Sequence, residues 1–125
     1  MCERDIDYDF EQLQKEIHKL ARKKGWWPGY KSVEDIGKTN IPEKLALIHS
    51  EISEALEEYR RPESWPQQVW YGEGNKPEGF GVELADAVIR IMDLCEALGI
   101  PLASIIRNKH AYNSSRPKRH GGKKA

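Results

Sequence analysis

The sequence predicts an all-α protein whose four helices form a bundle-like core. Four segments repeat apolar residues at the steps of three and four that give an amphipathic helix one apolar face. Glycine or proline separates several of these segments, which is typical of helix ends and connections. The chain has 125 residues, which is enough for one domain with its own core. We therefore expect one helical domain over residues 1–117, followed by a flexible basic tail over residues 118–125.

The composition argues against several classes of protein. Twenty acidic and twenty basic residues cancel, and the mean hydropathy is −0.75. No overall field therefore favours nucleic acid or a membrane surface. Cys2 and Cys95 are the only cysteines, too few for a disulfide framework or a thiolate metal site. The start of the chain lacks the apolar core of a signal peptide, so we expect a cytoplasmic protein.

The first helix is predicted over residues 5–24. Asp5 can cap its start, and Gly25 can end it. Its apolar stripe consists of Ile6, Phe10, Leu13, Ile17 and Leu20. His18 lies beside this stripe, where a half-buried structural histidine is the ordinary interpretation. The glycine- and proline-rich stretch that follows carries Trp26 and Trp27, which predicts a structured loop able to contact a ligand.

The second helix should begin near Pro42 and end near Arg61, because Pro62 cannot continue it. Its predicted core stripe consists of Leu45, Ile48, Ile52, Leu56 and Tyr59. A separate stripe, joined by Leu47, consists of Glu51, Glu54 and Glu58. This acidic face is expected to be partly buried, with Glu58 more simply explained by a salt bridge to a nearby arginine.

The third helix is predicted over residues 80–98, after a long loop over residues 63–79. Apolar residues cover most of its circumference, which is typical of a helix at the centre of a bundle. One narrow polar stripe remains, made of Glu83, Asp86, Arg90 and Asp93. Because burying unpaired acids is costly, this stripe should face a cleft or a gap between helices. Arg90 can pair with either neighbouring aspartate, so Arg90 and Asp93 are interpreted as structural.

The fourth helix should start after the Gly99-Ile100-Pro101 turn and run to about Asn113. Leu102, Ile105 and Ile106 define its predicted inward face. At helical spacing, Lys109 and Asn113 continue this same face. The sequence therefore predicts a cation and an amide directed towards the bundle.

Two acidic pairs carry the strongest chemical signal. Glu51 with Glu54, and Glu83 with Asp86, are each three residues apart and so lie on one face of a helix. Either pair alone is most simply a solvated surface. If the two helices pack together, the four carboxylates raise each other's pKa, and a divalent cation relieves the conflict. Oxygen-only ligands favour Mg²⁺, with Mn²⁺ as a substitute.

Phosphoryl chemistry is the expected use of such a site. Mg²⁺ held by carboxylates keeps open positions for water and substrate phosphates. The chain has no Walker A motif and no Gly-rich dinucleotide motif. Side-chain cations would then hold the phosphates, and Lys109 and Arg116 are candidates.

At these residues the chain resembles the MazG-like all-α nucleoside triphosphate pyrophosphohydrolase superfamily. The likeness covers His18, the aromatic turn, the E-x-x-E and E-x-x-D helices and residues 109–117. It implies Mg²⁺-dependent cleavage between the α and β phosphates, releasing a nucleoside monophosphate and pyrophosphate. Many members have Glu-Glu where this chain has Ser50-Glu51, so one carboxylate is missing here.

The resemblance also implies roles for individual residues. The metal ligands would be Glu51, Glu54, Glu83 and Asp86. The phosphate-binding residues would be Lys109, Asn113 and Arg116. His18 would contact the base, and Glu51 or Glu54 would orient the attacking water. Trp27 or Trp26 is expected to stack on the base while the other anchors the core.

Two alternatives remain open at this point. The enzyme could select dUTP, dUDP or dCTP within the same fold. The chain could instead be a non-catalytic helical module whose acidic stripe pairs with a basic partner. Helices that are apolar on more than one face predict a homodimer or homotetramer in which one subunit can complete the site of another.

Overall fold

The computed structural model describes residues 6–27, 41–61 and 69–117, and over these residues the protein is all-helical apart from one very short hairpin. The predicted all-α class is therefore confirmed. The helices are α1 (Ile6–Lys23), α2 (Ile41–Tyr59), α3 (Phe80–Ala97) and α4 (Leu102–Ser115). Each lies within two residues of its predicted bounds at both ends.

A small hairpin precedes α3, within the stretch predicted as a loop. Its strands are β1 (Trp70–Tyr71) and β2 (Pro77–Glu78), paired antiparallel with Trp70 opposite Glu78. A single 3₁₀ turn, Glu73–Asn75, joins them. Strands of two residues are too short to produce an alternating pattern, so periodicity could not reveal them.

Helix α3 packs against both α1 and α2, and α1 also contacts α4. This agrees with the central position predicted for α3. Most of its buried residues lie in its C-terminal half, including Met92 and Cys95. The core cluster consists of Trp27, Leu94 and Ala97, packed against Ala21, Ile41, Ile48 and Leu98. The tryptophan that follows α1 is therefore part of the core.

Helices α1 and α3 end in the same way. Gly25 has φ 86° and Gly99 has φ 70°, a left-handed conformation that costs glycine little. The N–H of Trp26 bonds the carbonyl of Ala21, and that of Gly25 bonds Arg22. These two bonds form a Schellman motif, which reverses the chain immediately after the helix. The motif sets the positions of Trp26 and Trp27.

The predicted apolar stripe of α1 is only partly correct. Leu13 and Leu20 are exposed, whereas Gln14 and His18 are buried. The packed face is rotated towards these polar residues because both find partners across the interface. Gln14 donates to Glu96 and to the carbonyl of Ile100, at 3.0 and 3.2 Å.

The predicted core stripe of α2 is largely wrong for the single chain. Glu51 and Ala55 are buried, whereas Leu56 is 56% exposed. The other exposed members are Leu45, Ile52 and Tyr59. The buried face of α2 therefore carries Glu51 and the small Ala55, and the larger apolar side chains lie on the exposed face.

The same outward placement occurs on α3 and α4. Leu84, Val88 and Ile89 are exposed on α3, although this helix was expected to be enclosed. Ile105 and Ile106 are exposed on α4, so they do not form the predicted inward face. Together with Leu13 and Leu20 of α1, large apolar side chains are thus left uncovered on each of the four described helices.

Some predictions fall outside the described residues: the cap at Asp5, the stop at Pro62 and the basic tail at 118–125. Within the described ranges, every helix is too short or too polar to span a bilayer.

Candidate cation site and adjoining cleft

Packing of α2 on α3 brings three of the four predicted carboxylates together. Glu51, Glu83 and Asp86 each offer an oxygen within 4.8 Å of the others. Glu54 is not part of this group of three and is exposed, but it lies close enough to Glu83 to interact with it electrostatically. Three of the four carboxylates thus converge as predicted, and Glu54 lies at the margin of the cluster.

Glu51 is the buried member of the cluster, with 7% of its surface exposed. Its Oε1 accepts a hydrogen bond of 2.8 Å from Arg90 Nε. Its Oε2 is buried and has no hydrogen-bond donor among the described residues. A buried carboxylate oxygen normally has a partner, so this oxygen is available to an added cation.

Crowding perturbs the titration of the other two carboxyl groups. Burial, followed by the neighbouring Glu54, raises the pKa of Glu83 from 4.5 to about 7. Burial and the charge of Glu51 also raise the pKa of Asp86, against an opposing effect of Arg90 and Lys76. When ionised, the three carboxyl groups therefore carry more negative charge than the neighbouring Arg90 neutralises.

These residues suit a hard divalent cation. All three converging groups are carboxylates, which Mg²⁺ prefers. Ser50 lacks the carboxylate that a glutamate would bring, and its hydroxyl donates to the carbonyl of Leu47 at 2.6 Å. The departure from Glu-Glu thus leaves the neighbouring position bonded to its own helix.

A cleft of about 370 Å³ opens beside the cluster. Its polar lining consists of Glu51, Asp86, Arg90, Asp93 and Lys24. Its apolar lining consists of Ile17, Leu20, Ala21, Trp26 and Ile89. The cleft therefore combines a carboxylate site with an apolar and aromatic wall, a combination suited to a ligand with a charged and a flat part.

Trp26 and Trp27 divide two roles between them. Trp27 is 5% exposed and donates from Nε1 to both oxygens of Asp93 at 3.0 Å. Lys44 lies 4.3 Å from its ring centre and also donates to the Trp26 carbonyl. Trp26 is 49% exposed and lines the cleft. Trp27 is the core anchor, and Trp26 is the ring accessible to a ligand.

His18 is buried in a network with Asp93. Its Nδ1 lies 2.7 Å from Asp93 Oδ1, and its ring meets Trp27 edge-on at 5.5 Å. Asp93 is therefore occupied by His18 and Trp27 and does not pair with Arg90, which bonds Glu51. These bonds agree with the structural role inferred for Asp93, whereas the hydrogen-bond partner of Arg90 is Glu51, and Arg90 acts on Asp86 only through its charge.

Two of the predicted phosphate-binding residues, Lys109 and Asn113, lie on α4, and Arg116 caps the C-terminus of this helix. Lys109 and Asn113 are exposed, so the expectation that they point into the bundle is wrong for the single chain. Lys109 and Arg116 flank the ring of Tyr112, at 4.8 and 5.5 Å from its centre. Glu58 lies 3.9 Å from Arg61, the salt bridge suggested by sequence.

Comparison with protein-family models, with curated proteins and with solved structures finds no match for this chain. The assignment of the site therefore depends on its geometry.

Arg90 is the residue whose role the sequence interpretation missed. The sequence correctly predicted that Arg90 lies on the polar stripe of α3, but it suggested partners only within the same helix. Its actual partner lies 39 positions earlier on α2. The only available signal was its position one turn after Asp86, on the side of α3 that carries the acidic pair.

Proposed function

We propose that this protein is a Mg²⁺-dependent pyrophosphohydrolase of nucleoside or deoxynucleoside triphosphates. The observation that supports this most directly is the buried Oε2 of Glu51, which lacks a donor and lies beside two further carboxylates. Such a site suits a divalent cation, and the apolar wall of the adjoining cleft suits a nucleoside. The MazG-like resemblance of the two acidic pairs points to the same chemistry.

The chain's own residues divide the work as follows. Glu51, Glu83 and Asp86 hold the cation, which when bound polarises the phosphates and lowers the pKa of bound water. Glu54 orients and deprotonates the attacking water. We assign this role to Glu54 rather than Glu51 because Arg90 already neutralises Glu51, whereas Glu54 is exposed beside the cluster.

The nucleoside part of the substrate lies along the apolar wall of the cleft. Trp26 stacks on the base, because its ring is accessible and that of Trp27 is buried. His18 acts indirectly, by holding Asp93 and Trp27 in place. Lys109, Asn113 and Arg116 supply phosphate contacts from α4.

A homodimer or homotetramer is the proposed assembly. Exposed large apolar side chains on α2 and α3 form the surface that another copy would cover, and they include Ile52, Leu56 and Val88. Exposed residues of α4 can then complete the site of a neighbouring subunit.

The direct test is pyrophosphate release from a panel of ribo- and deoxynucleoside triphosphates, with Mg²⁺ and with EDTA. We expect Mg²⁺-dependent turnover of at least one nucleotide, and the panel distinguishes a general enzyme from one selective for dUTP or dCTP. Selectivity for dUDP is tested beside it by release of orthophosphate, because this diphosphate cannot yield pyrophosphate. Glu83→Gln should abolish turnover, whereas the exposed control Glu57→Gln should retain it. No turnover of any nucleotide would overturn the assignment.

A further inference from the structure

Arg90 occupies an unusual place between the two halves of the cleft. Its Nε bonds the buried Glu51 at 2.8 Å, and its Cζ lies 5.1 Å from the centre of the Trp26 ring. An ion pair thus fixes one edge of the guanidinium, and a cation–π contact fixes its plane. The group is held in one orientation before any ligand arrives.

The opposite edge of this guanidinium is available. Its Nη1 and Nη2 groups carry four N–H donors, and within the described residues Glu51 is the only hydrogen-bond acceptor of Arg90, through Nε. The side chain is 26% exposed and lines the cleft. A fork of this shape binds two oxygens of a phosphate more precisely than an ammonium does.

We propose that Arg90 is a catalytic residue that binds the non-bridging oxygens of the α-phosphate. This inference rests on the proposed function. Arg90 contacts Glu51 at the carboxylate end of the cleft and Trp26 at the aromatic end. A triphosphate with its phosphates at the carboxylates and its base on Trp26 therefore extends past Arg90. The part of the nucleotide between the metal-bound phosphates and the base is the α-phosphate with its sugar, and of these only the phosphate is an anion.

In this role, the positive charge of Arg90 lies beside the α-phosphorus, the atom at which the reaction takes place. The water oxygen forms a bond to the α-phosphorus while the bond from that phosphorus to the bridging oxygen breaks. The bonding electron pair leaves with pyrophosphate, and the water proton passes to Glu54. Arg90 donates hydrogen bonds throughout and transfers no proton, so its positive charge offsets charge on the α-phosphoryl oxygens.

A purely structural role for Arg90 predicts different behaviour. If its only task were to position Glu51, its loss would weaken Mg²⁺ binding and would lower affinity for every phosphate ligand alike. If it binds the α-phosphate, its loss affects ligands that contain this phosphate. The two hydrolysis products separate these cases, because the monophosphate carries the α-phosphate and pyrophosphate does not.

The test is calorimetric binding with Arg90→Lys and Arg90→Ala in saturating Mg²⁺. The ligands are the four 2′-deoxynucleoside 5′-monophosphates in turn, and inorganic pyrophosphate. We expect Arg90→Ala to weaken binding of the preferred monophosphate by about tenfold or more, with pyrophosphate affinity changed less than about twofold. The loss of monophosphate affinity in Arg90→Lys should be intermediate, because lysine keeps the positive charge but lacks the paired N–H donors of the guanidinium. Equal losses for both ligands would overturn the proposal.

Arg61→Ala is the matched control. Arg61 also lies over a tryptophan, 5.4 Å from the Trp70 ring centre, and near a glutamate, but it does not line the cleft. It should leave both affinities unchanged. A thermal melt of each variant checks folding, and Arg90→Lys carries the test if Arg90→Ala unfolds.

Kinetics separate failure of this inference from failure of the proposed function. In an active wild-type enzyme, Arg90→Ala should lower kcat by about a hundredfold or more, as loss of one preorganised donor does. Wild-type turnover with normal kcat in Arg90→Ala would reject the role of Arg90 alone. Absence of turnover and of Mg²⁺ binding in the wild type would reject both.

Discussion

Arg90 Nε donates across 2.8 Å to Oε1 of Glu51, joining α3 to α2 through a largely buried ion pair. The pair leaves the second oxygen of Glu51 buried and without a donor among the described residues. Removing one partner of such a pair usually destabilises a protein, because the remaining charge is left buried and uncompensated. Glu51 is therefore both a packing element and the candidate ligand least able to relax towards solvent.

Glu51→Gln should abolish tight Mg²⁺ binding while the protein stays folded. The amide still accepts a bond from Arg90 but no longer contributes a negative charge to the cation. Isothermal titration with Mg²⁺, together with a circular-dichroism melt, measures both effects. Glu57→Gln, whose partner Arg60 lies one turn away at the surface, should bind Mg²⁺ normally. Unchanged Mg²⁺ affinity in Glu51→Gln would contradict the site.

Without a divalent cation, the protein should lose stability as the pH rises from about 4.5 to about 7. The pKa of Glu83 is raised in the folded state from 4.5 to about 7, so in this range the folded state holds a proton that the unfolded state has released. Stability falls with pH wherever the folded state binds more protons. Thermal melts between pH 4.5 and pH 8 in EDTA measure the slope.

Glu83→Gln provides the comparison for that slope. The neutral amide should reduce the decline, although Asp86 contributes in the same direction because its pKa is also raised. Saturating Mg²⁺ should stabilise the wild type more at high pH, since the cation competes with the proton for the same carboxylates. An identical slope in the wild type and in Glu83→Gln would show that Glu83 titrates normally.

Asp93→Ala should destabilise the fold by about 3 kcal/mol. It removes the acceptor of His18 and of the Trp27 N–H and leaves these groups in a buried setting. Urea unfolding measures the change in the free energy of unfolding. Glu16→Ala, at an exposed position of α1, should shift it by less than about 0.5 kcal/mol. A similarly small change in Asp93→Ala would mean that the network contributes little.

The two adjacent tryptophans should respond differently to substitution. Trp27→Phe deletes a buried N–H donor to Asp93 and should lower the free energy of unfolding by about 1–3 kcal/mol. Trp26→Ala should barely affect unfolding but should raise KM, because it removes the exposed ring of the cleft. Denaturant melts and steady-state kinetics on both variants test this. The reverse pattern would exchange the anchoring and stacking roles.

The exposed apolar side chains of α2 should mediate self-association. Wild-type protein is expected to elute as a dimer or tetramer in size-exclusion chromatography with light scattering, and Ile52→Glu with Leu56→Glu should shift it to a monomer. Tyr71→Ser, at an exposed position of the hairpin, should keep the wild-type mass. A monomeric wild type at high concentration would exclude this assembly.

Helix positions were predictable because periodicity and glycine ends are local signals. Gly25 and Gly99 end α1 and α3 as predicted, each with positive φ. The face that each helix buries was less predictable. Gln14 and His18 are buried in preference to Leu13 and Leu20 because their partners, Glu96 and Asp93, lie on α3, more than 70 positions away. A helical pattern contains no information about such distant partners.

In the candidate site, too, the features that depend on local spacing were predictable and those that depend on helix packing were not. Spacing of three residues was enough to place Glu83 and Asp86 on one face, and α2 does bring Glu51 to them. Spacing could not predict that Glu54 would lie at the margin, because this depends on the rotation of α2 against α3. The pairing of Arg90 with Glu51 depends on the same rotation.

Because one guanidinium contacts both Glu51 and Trp26, we expect ligand binding at the two ends of the cleft to be thermodynamically linked. A cation that binds Glu51 weakens the ion pair between Glu51 and Arg90, and this alters the contact of the guanidinium with Trp26. In the same way, a flat ring that stacks on Trp26 alters the contact of the guanidinium with Glu51. Linkage of this kind is reciprocal, so each ligand alters the affinity of the other by the same factor. Trp26 follows directly after a helix end and precedes a buried Trp27, which limits how far its backbone can move. Cooperativity between metal and base can thus arise from the two contacts of Arg90 alone, without any rearrangement of the helices.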